Sequence, residues 1–250
     1  MDGVTVPDPL PGWLSGARRI TVLTGAGIST DSGIPDYRGP DGVWTRDPDA
    51  EKLVTLSYYV ADPAIRRKAW AMRHTTGLGA RPNAGHAALV DLQRQGRLRA
   101  LLTQNVDGLH TEAGNTDVLE LHGTVRETEC LGCRDRRPMA ETVARLDAGD
   151  PDPACTVCGG ILKSATISFG QLLDADVIEA AALAAGDCDV LLAVGTSLQV
   201  HPAAGLVDLA AASGARVVVV NGEPTPYDGM ADLVVREPIG TALPRLLGVA

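Results

Sequence analysis

Aromatic residues are scarce: one phenylalanine, three tryptophans and four tyrosines make up 3% of the 250 residues. That scarcity argues against a stacking platform for single-stranded nucleic acid. Positive charge is short as well. With 22 basic against 31 acidic side chains the net charge is −9, which argues against nucleic acid as the main partner and leaves a cationic peptide open. No apolar run reaches the ~18 residues of a membrane helix. The first eleven residues are acidic and proline-rich, with no basic stretch ahead of an apolar one. No secretory signal is therefore expected, and the chain is expected to be soluble and cytoplasmic. The absence of any Gly-x-x-x-x-Gly-Lys-Ser/Thr excludes a P-loop ATPase. What remains is 45% hydrophobic and 21% charged, enough for one large domain, or one and a half, with a substantial core.

Only five cysteines occur, and four form two pairs of equal spacing, Cys130-Leu-Gly-Cys133 and Cys155-Thr-Val-Cys158. In a reducing compartment this pattern reads as a tetrahedral zinc site, with redox pairs or unrelated thiols as the alternative. Four thiolates close the coordination shell, so the metal is read as structural. Cys188 precedes an apolar run and reads as a small core residue.

Short apolar runs at 20–23, 100–103, 118–121, 190–194, 217–220 and 233–235 are apolar on consecutive positions, as in strands covered on both faces. Helical patterns at 83–96, 174–186 and 202–214 lie between them, with proline or a capping residue at the start and glycine at the end. The alternation predicts an α/β fold, a doubly wound parallel sheet of the Rossmann-like kind. Segments 45–82 and 126–163 interrupt the pattern and predict a smaller inserted domain, part helical and part zinc ribbon. The Rossmann-like domain is then 16–44, 83–125 and 164–250, and residues 1–15 read as a flexible tail.

Ligands of such sheets bind beyond the carboxyl ends of the strands. Five of those ends carry Thr24-Gly25-Ala26-Gly27-Ile28-Ser29, Gln104-Asn105-Val106-Asp107-Gly108, His122-Gly123, Gly195-Thr196-Ser197 and Asn221-Gly222-Glu223. Glycines, small hydroxyls, amides, carboxylates and one histidine on separate loops make a nucleotide site. The first loop departs from the dinucleotide fingerprint, because Thr30 stands where a third glycine belongs. Taken alone it reads either as a tight structural turn or as backbone amides holding a pyrophosphate.

From Arg18 onward the chain resembles the sirtuin family of NAD-dependent protein-lysine deacylases. The resemblance is carried by Gly25-Ala26-Gly27-Ile28-Ser29, Ser32-Gly33-Ile34-Pro35-Asp36-Tyr37-Arg38-Gly39, Thr103-Gln104-Asn105-Val106-Asp107-Gly108-Leu109-His110, Leu121-His122-Gly123, the four cysteines, Phe169-Gly170, Val194-Gly195-Thr196-Ser197-Leu198 and Asn221-x-Glu223. It implies NAD as co-substrate, structural zinc, and acylated-lysine proteins or peptides as partners. By similarity Gly25, Ala26, Ser29, Asp36, Tyr37 and Arg38 belong to the loop over NAD. Ile34, Asn105 and Asp107 line a nicotinamide pocket, Gln104 reaches the neighbouring ribose, and Gly195, Thr196, Ser197, Asn221 and Glu223 hold the adenosine half. His122 is the general base, with Asn105 counted beside it as catalytic. Ile167, Phe169 and Gly170 pair with the substrate backbone as an added strand.

The implied reaction removes the acyl group as O-acyl-ADP-ribose, releasing nicotinamide and free lysine. An imidazole of ordinary pKa ~6.5 suits its base-assisted step at neutral pH. Tyr37 stands where the family usually has phenylalanine, Gln171 where an acid is common, and Lys163-Ser164 where Arg-Pro is frequent. Members that remove succinyl or malonyl groups carry a tyrosine and an arginine three apart; the nearest equivalent here is Trp70-Ala71-Met72-Arg73. A deacetylase is the leading expectation, with desuccinylase or demalonylase activity second. A protein ADP-ribosyltransferase or another NAD-consuming enzyme, and a non-catalytic NAD sensor, are the competing classes.

Overall fold

The computed structural model describes residues 5–75 and 79–249. In chain order the strands are β1 (Ile20–Thr24), β2 (Leu98–Thr103), β3 (Leu119–Glu120), β4 (Gly123–Cys130), β5 (Arg136–Pro138), β6 (Leu162–Thr166), β7 (Val190–Val194), β8 (Arg216–Val220) and β9 (Leu233–Val235). The helices are α1 (Gly12–Ser15), α2 (Val43–Arg46), α3 (Leu56–Ala61), α4 (Pro63–Thr75), α5 (Ala84–Arg94), α6 (Leu109–Ala113), α7 (Met139–Asp147), α8 (Ala175–Gly186), α9 (Gly205–Ala212) and α10 (Ile239–Leu247).

Successive side chains of a strand point to opposite faces, and β7 shows what this does here. Val190, Leu192 and Val194 join the cluster that includes Leu89 and Leu92 of α5 and Leu243 and Leu246 of α10. Leu191 and Ala193 join the cluster that includes Ala181 and Ala185 of α8 and Leu206 and Val207 of α9. A strand buried on both faces has no polar position to alternate with, hence its continuous apolar run. The sheet order is β3-β2-β1-β7-β8-β9, parallel at every pairing. The order reverses between β1 and β7, which puts a crevice at their carboxyl ends.

A second, antiparallel sheet holds β5-β4-β6. It carries the cysteines and α7, and packs Met139 and Leu162 with Trp70 of α4. Arg66 reads in the sequence as part of a solvated basic cluster, but it pairs with Asp152 at 2.9 Å in a half-buried position. That contact fastens α4 to the cysteine-bearing segment.

The N-terminal segment differs from the expected loose tail over its described part. Val6 and Leu14 are 4% and 1% exposed and belong to the core beneath the sheet. The Val6 backbone N–H donates to Glu237 at 2.7 Å. Two apolar side chains in an otherwise polar stretch are enough to dock it; residues 1–4 lie outside the described residues.

Candidate active site

At the β1–β7 crevice two glycine loops interlock. Gly25 N–H donates to Val194 at 3.0 Å, and Gly27 N–H donates to the Gly195 carbonyl at 2.8 Å. Gly195 has φ +60°, and a Cβ there would come within 2.4 Å of the Ile28 nitrogen, so only glycine fits. Ile28 N–H donates to Gly25 O at 3.2 Å. These three amides are engaged inside the protein, so the open anion cradle weighed from the sequence does not form from them. Residues Ala26–Ser32 make a 3-10 turn rather than the start of a long helix.

Over the crevice lies a cleft of about 710 Å³. It is lined by Gly25, Ala26, Asp36, Tyr37, Arg38, Gln104, Asn105, His122, Gly195, Thr196, Ser197, Asn221 and Glu223, and by Trp70, Arg73, Ile167, Phe169 and Gly170. A smaller annex of about 160 Å³ shares Ala26, Tyr37, Gln104 and Asn105 with it and adds Ser29, Ile34 and Asp107. Every residue read from the sequence as cofactor- or substrate-binding therefore borders one of two adjoining cavities. The four cysteines border neither.

The annex wall is a hydrogen-bonded unit. Asn105 Nδ2 donates to Gly25 O at 3.1 Å and to Ser29 Oγ at 3.2 Å. Ser29 Oγ donates to Asp107 Oδ2 at 2.8 Å, and Asp107 Oδ1 accepts from Leu109 N–H at 2.9 Å. Gln104 Nε2 donates to Thr196 Oγ1 at 2.9 Å, linking this loop to the one after β7.

His122 stands where the chain leaves the parallel sheet for the antiparallel one. Its carbonyl accepts from Ile167 N–H at 2.7 Å. Gly123 next to it has φ +69°, and a Cβ there would lie 2.1 Å from the Ala165 carbonyl. The ring Nδ1 is 3.1 Å from the Gln104 carbonyl. A carbonyl only accepts, so Nδ1 carries the proton and the neutral ring keeps its lone pair on Nε2. Burial lowers the His122 pKa below 6.5, against the opposing effect of that hydrogen bond.

Five of the eight aromatic residues, Tyr37, Trp44, Tyr59, Trp70 and Phe169, border this one cleft. Tyr37 and Phe169 flank Trp44 with centroids 4.8 and 5.6 Å away, and the Arg38 guanidinium lies 4.5 Å over the Trp44 ring. Asp36 accepts from Gly39 N–H at 2.9 Å and so acts first as the turn residue of this loop. Trp70 is 2% exposed, and much of its ring packs with Cys130, Met139, Cys155 and Leu162. Its Nε1 is buried with no partner among the described residues. The Arg73 side chain, on α4, has no hydrogen-bond or ion-pair partner among the described residues. Burial lowers its pKa, with Tyr37 and Tyr59 the groups acting on it in the opposite direction.

Phe169 N–H donates to Val54 O at 2.8 Å and its carbonyl accepts from Leu56 N–H at 3.0 Å. Both its backbone groups therefore face residues 54–56. The segment turns at once, Gln171 N–H reaching Ser168 O at 3.0 Å with Gly170 at φ +84°. Strand addition at Phe169 itself is blocked, and Gly170 keeps its backbone groups without protein partners among the described residues.

The sequence reading passed over Arg236, Glu237 and Ile239, which also border the cleft. Arg236 donates to the Asn221 carbonyl at 2.6 Å and pairs with Asp228, fixing the loop after β8. The strand-end rule would have found them, since they follow β9. His201 borders the cleft and does not cap a helix: α9 begins at Gly205, with no side-chain cap.

The four cysteine Sγ atoms lie within 4.8 Å of one another. Cys130 to Cys158 is 3.5 Å and Cys133 to Cys155 is 3.7 Å. A tetrahedral ion with ~2.3 Å bonds needs sulfurs about 3.8 Å apart. Gly132 and Val157 point their N–H groups at Cys130 and Cys155 at 3.3 and 3.4 Å, and a Cβ on Gly160 would sit 3.1 Å from two of the sulfurs. Donor type, spacing and the glycine cradle fit structural zinc.

Known proteins resemble this chain in sequence and in fold. A protein of Streptomyces coelicolor named NAD-dependent protein deacetylase 2 is 58% identical over 237 residues, 94% of this chain and 98% of its own length. One from Sulfolobus acidocaldarius, an NAD-dependent protein deacetylase, is 41% identical over 90% of this chain and 87% of its own. A solved Sir2 structure with a p53 peptide and NAD+ superposes with TM-score 0.85 at 30% identity, covering 94% of this chain and 95% of that one. A Sir2 structure bound to a propionylated peptide gives 0.85 at 29% identity over 95% and 97%. The description of the Sir2 family matches residues 25–202, from the first glycine loop through the cysteine pairs and past β7, and this chain belongs to that family.

Proposed function

We propose that the chain removes acyl groups from lysine side chains of proteins in an NAD-dependent reaction, releasing nicotinamide, free lysine and O-acyl-ADP-ribose. NAD supplies an anomeric carbon from which nicotinamide departs. The adenosine end is held by Gly195, Thr196, Ser197, Asn221 and Glu223, and the nicotinamide end enters the annex beside Ile34, Asn105 and Asp107. Tyr37 and Arg38 cover the ribose face and restrict water. The acyl amide oxygen approaches from the channel bordered by Phe169, Trp70 and Arg73, with the peptide backbone meeting Gly170. The amide oxygen bonds to the anomeric carbon as the bond to nicotinamide breaks; His122 then takes a proton from a ribose hydroxyl through Nε2, and that oxygen bonds to the acyl carbon. The acyl C–N bond breaks to free lysine as the amine, and water adds to the acyl carbon as its bond to the anomeric oxygen opens, leaving the acyl ester on the ribose. A reducing cytoplasm suits the thiolate zinc site.

The observation that carries this reading is His122, a half-buried, neutral ring on the wall of the larger cavity, whose Nδ1 is tied to Gln104, a residue that borders both cavities. Mass spectrometry of NAD with acetyl-, succinyl-, malonyl- and long-chain acyl-lysine peptides tests it. Equal amounts of free-lysine peptide and acylated ADP-ribose are expected. ADP-ribose attached to protein, or released free, would make the chain a transferase or glycohydrolase instead.

Acetyl-lysine is the leading substrate, and one observation favours a second range. Arg73 borders both cavities without a carboxylate partner among the described residues. A succinyl or malonyl carboxylate would supply one. Arg73→Met is expected to cut desuccinylation roughly tenfold or more and to spare deacetylation; equal loss on both substrates would remove the acidic-acyl range.

A further inference from the structure

Two fully buried histidines take no part in the reaction above, yet a run of hydrogen bonds connects them to it. His86, on α5, and His110, on α6, pack together with ring centroids 4.8 Å apart and planes tilted by 53°. His86 Nδ1 accepts from the Asn83 backbone N–H at 3.3 Å, so its neutral ring carries the proton on Nε2. His110 Nε2 lies 2.9 Å from Thr24 Oγ1. The Thr24 hydroxyl donates its only proton to Thr103 Oγ1 at 2.8 Å, so His110 Nε2 must be the donor to Thr24. Thr103 Oγ1 also accepts the Asn105 backbone N–H at 3.0 Å. The two nitrogens left without partners, His86 Nε2 and His110 Nδ1, are therefore a donor and an acceptor on adjacent rings. Burial keeps both rings neutral, His110 falling to about 3. Among the described residues Asp107 is the charged group that acts on His86, and His86 acts on His110.

We propose that His110, backed by His86, is a positioning residue for the nicotinamide loop. It orients the Thr24 hydroxyl, which fixes Thr103 Oγ1 against the Asn105 N–H. The Asn105 amide is thereby held where its Nδ2 reaches Gly25 O and Ser29 Oγ. The inference rests on the reading of Asn105 as a nicotinamide-pocket residue.

The kinetic test uses the full chain with NAD, an acetyl-lysine peptide, and nicotinamide as product inhibitor. His110→Phe and Thr103→Val are each expected to raise KM for NAD and the nicotinamide inhibition constant roughly tenfold. KM for the peptide should not move. The double variant should be no worse than the weaker single, because both break one series. Thr103→Ser, which keeps the hydroxyl, should restore most of the loss. Effects that multiply in the double variant, or a peptide KM that rises in step with that for NAD, would overturn the proposal. The tautomers can be read without turnover, in the wild-type chain with nitrogen-labelled histidine at neutral pH. His86 and His110 should both appear as neutral Nε2–H rings, and an Nδ1–H or charged ring at either breaks the series. A wild-type chain that consumes no NAD would defeat the functional reading, and these spectra would then decide the series by themselves.

Discussion

In the proposed role of base, His122 works only while neutral, and its environment sets the pH at which that holds. Burial holds its pKa below 6.5, so the neutral ring dominates at neutral pH and is lost as pH falls through the lowered value. The pH profile of kcat/KM for an acyl peptide is expected to be flat near neutrality, with a one-proton acid limb starting below 6.5. A limb centred above 6.5 would show that the ring is not the buried, Gln104-bonded one. The unfolded chain takes up the His122 proton at higher pH than the folded one does. Folding stability therefore rises with pH across that window. At this scale the sequence was informative, because polar residues after buried strands have few reasons to be there except a ligand. Arg236 and Glu237 obeyed the same rule after β9. Trp70 could not be resolved from sequence, since a tryptophan at a channel wall and one in a core look alike until Cys130 and Leu162 are seen against it.

Elements whose ends are chemically marked were legible, and those built by tertiary contacts were not. α5 opens on a capping box: Asn83 Oδ1 accepts from Gly85 and His86 while His86 accepts from Asn83 N–H. Asn83 Nδ2 also donates to Ile28 O at 2.8 Å and Ser32 Oγ at 2.9 Å, tying the helix to the 3-10 turn over the crevice. Asn83→Ala is expected to cost about 2 kcal/mol of unfolding free energy, measured by denaturant titration. A loss under a few tenths would mean the cap is idle. The cysteine pairs marked a zinc ribbon at 126–163, but its individual strands were not marked, because β4, Gly-Thr-Val-Arg-Glu-Thr-Glu-Cys, carries no apolar run. Its pairing is stabilised by the cysteine cluster and by packing on α4, which no local pattern reports. The expected strand at 118–121 shortened to Leu119–Glu120, since the chain must turn there to deliver His122 to the crevice.

Across the whole molecule, zinc and chemistry are separate in space and joined by packing. The cysteines border neither of the two cavities described, yet Cys130 and Cys155 pack against Trp70, which borders the cleft proposed to take the substrate, on the same helix as Arg73. Removal of zinc with a chelator is expected to unfold the antiparallel sheet and abolish deacylation, because the metal's binding energy is folding energy for so small a unit. Far-UV signal from the parallel sheet and its helices should largely survive, since its core holds no metal ligand; full activity after complete zinc removal would contradict this division. The central claim is that His122 serves the transfer of the acyl group and not the departure of nicotinamide. The most direct measurement compares His122→Ala with wild type in two assays on one acetyl-lysine peptide: exchange of labelled nicotinamide into NAD, and release of free lysine. Exchange should persist within about tenfold while lysine release falls by roughly a thousandfold or more. Lysine release that survives the substitution, or exchange and release that vanish together, would contradict the assignment.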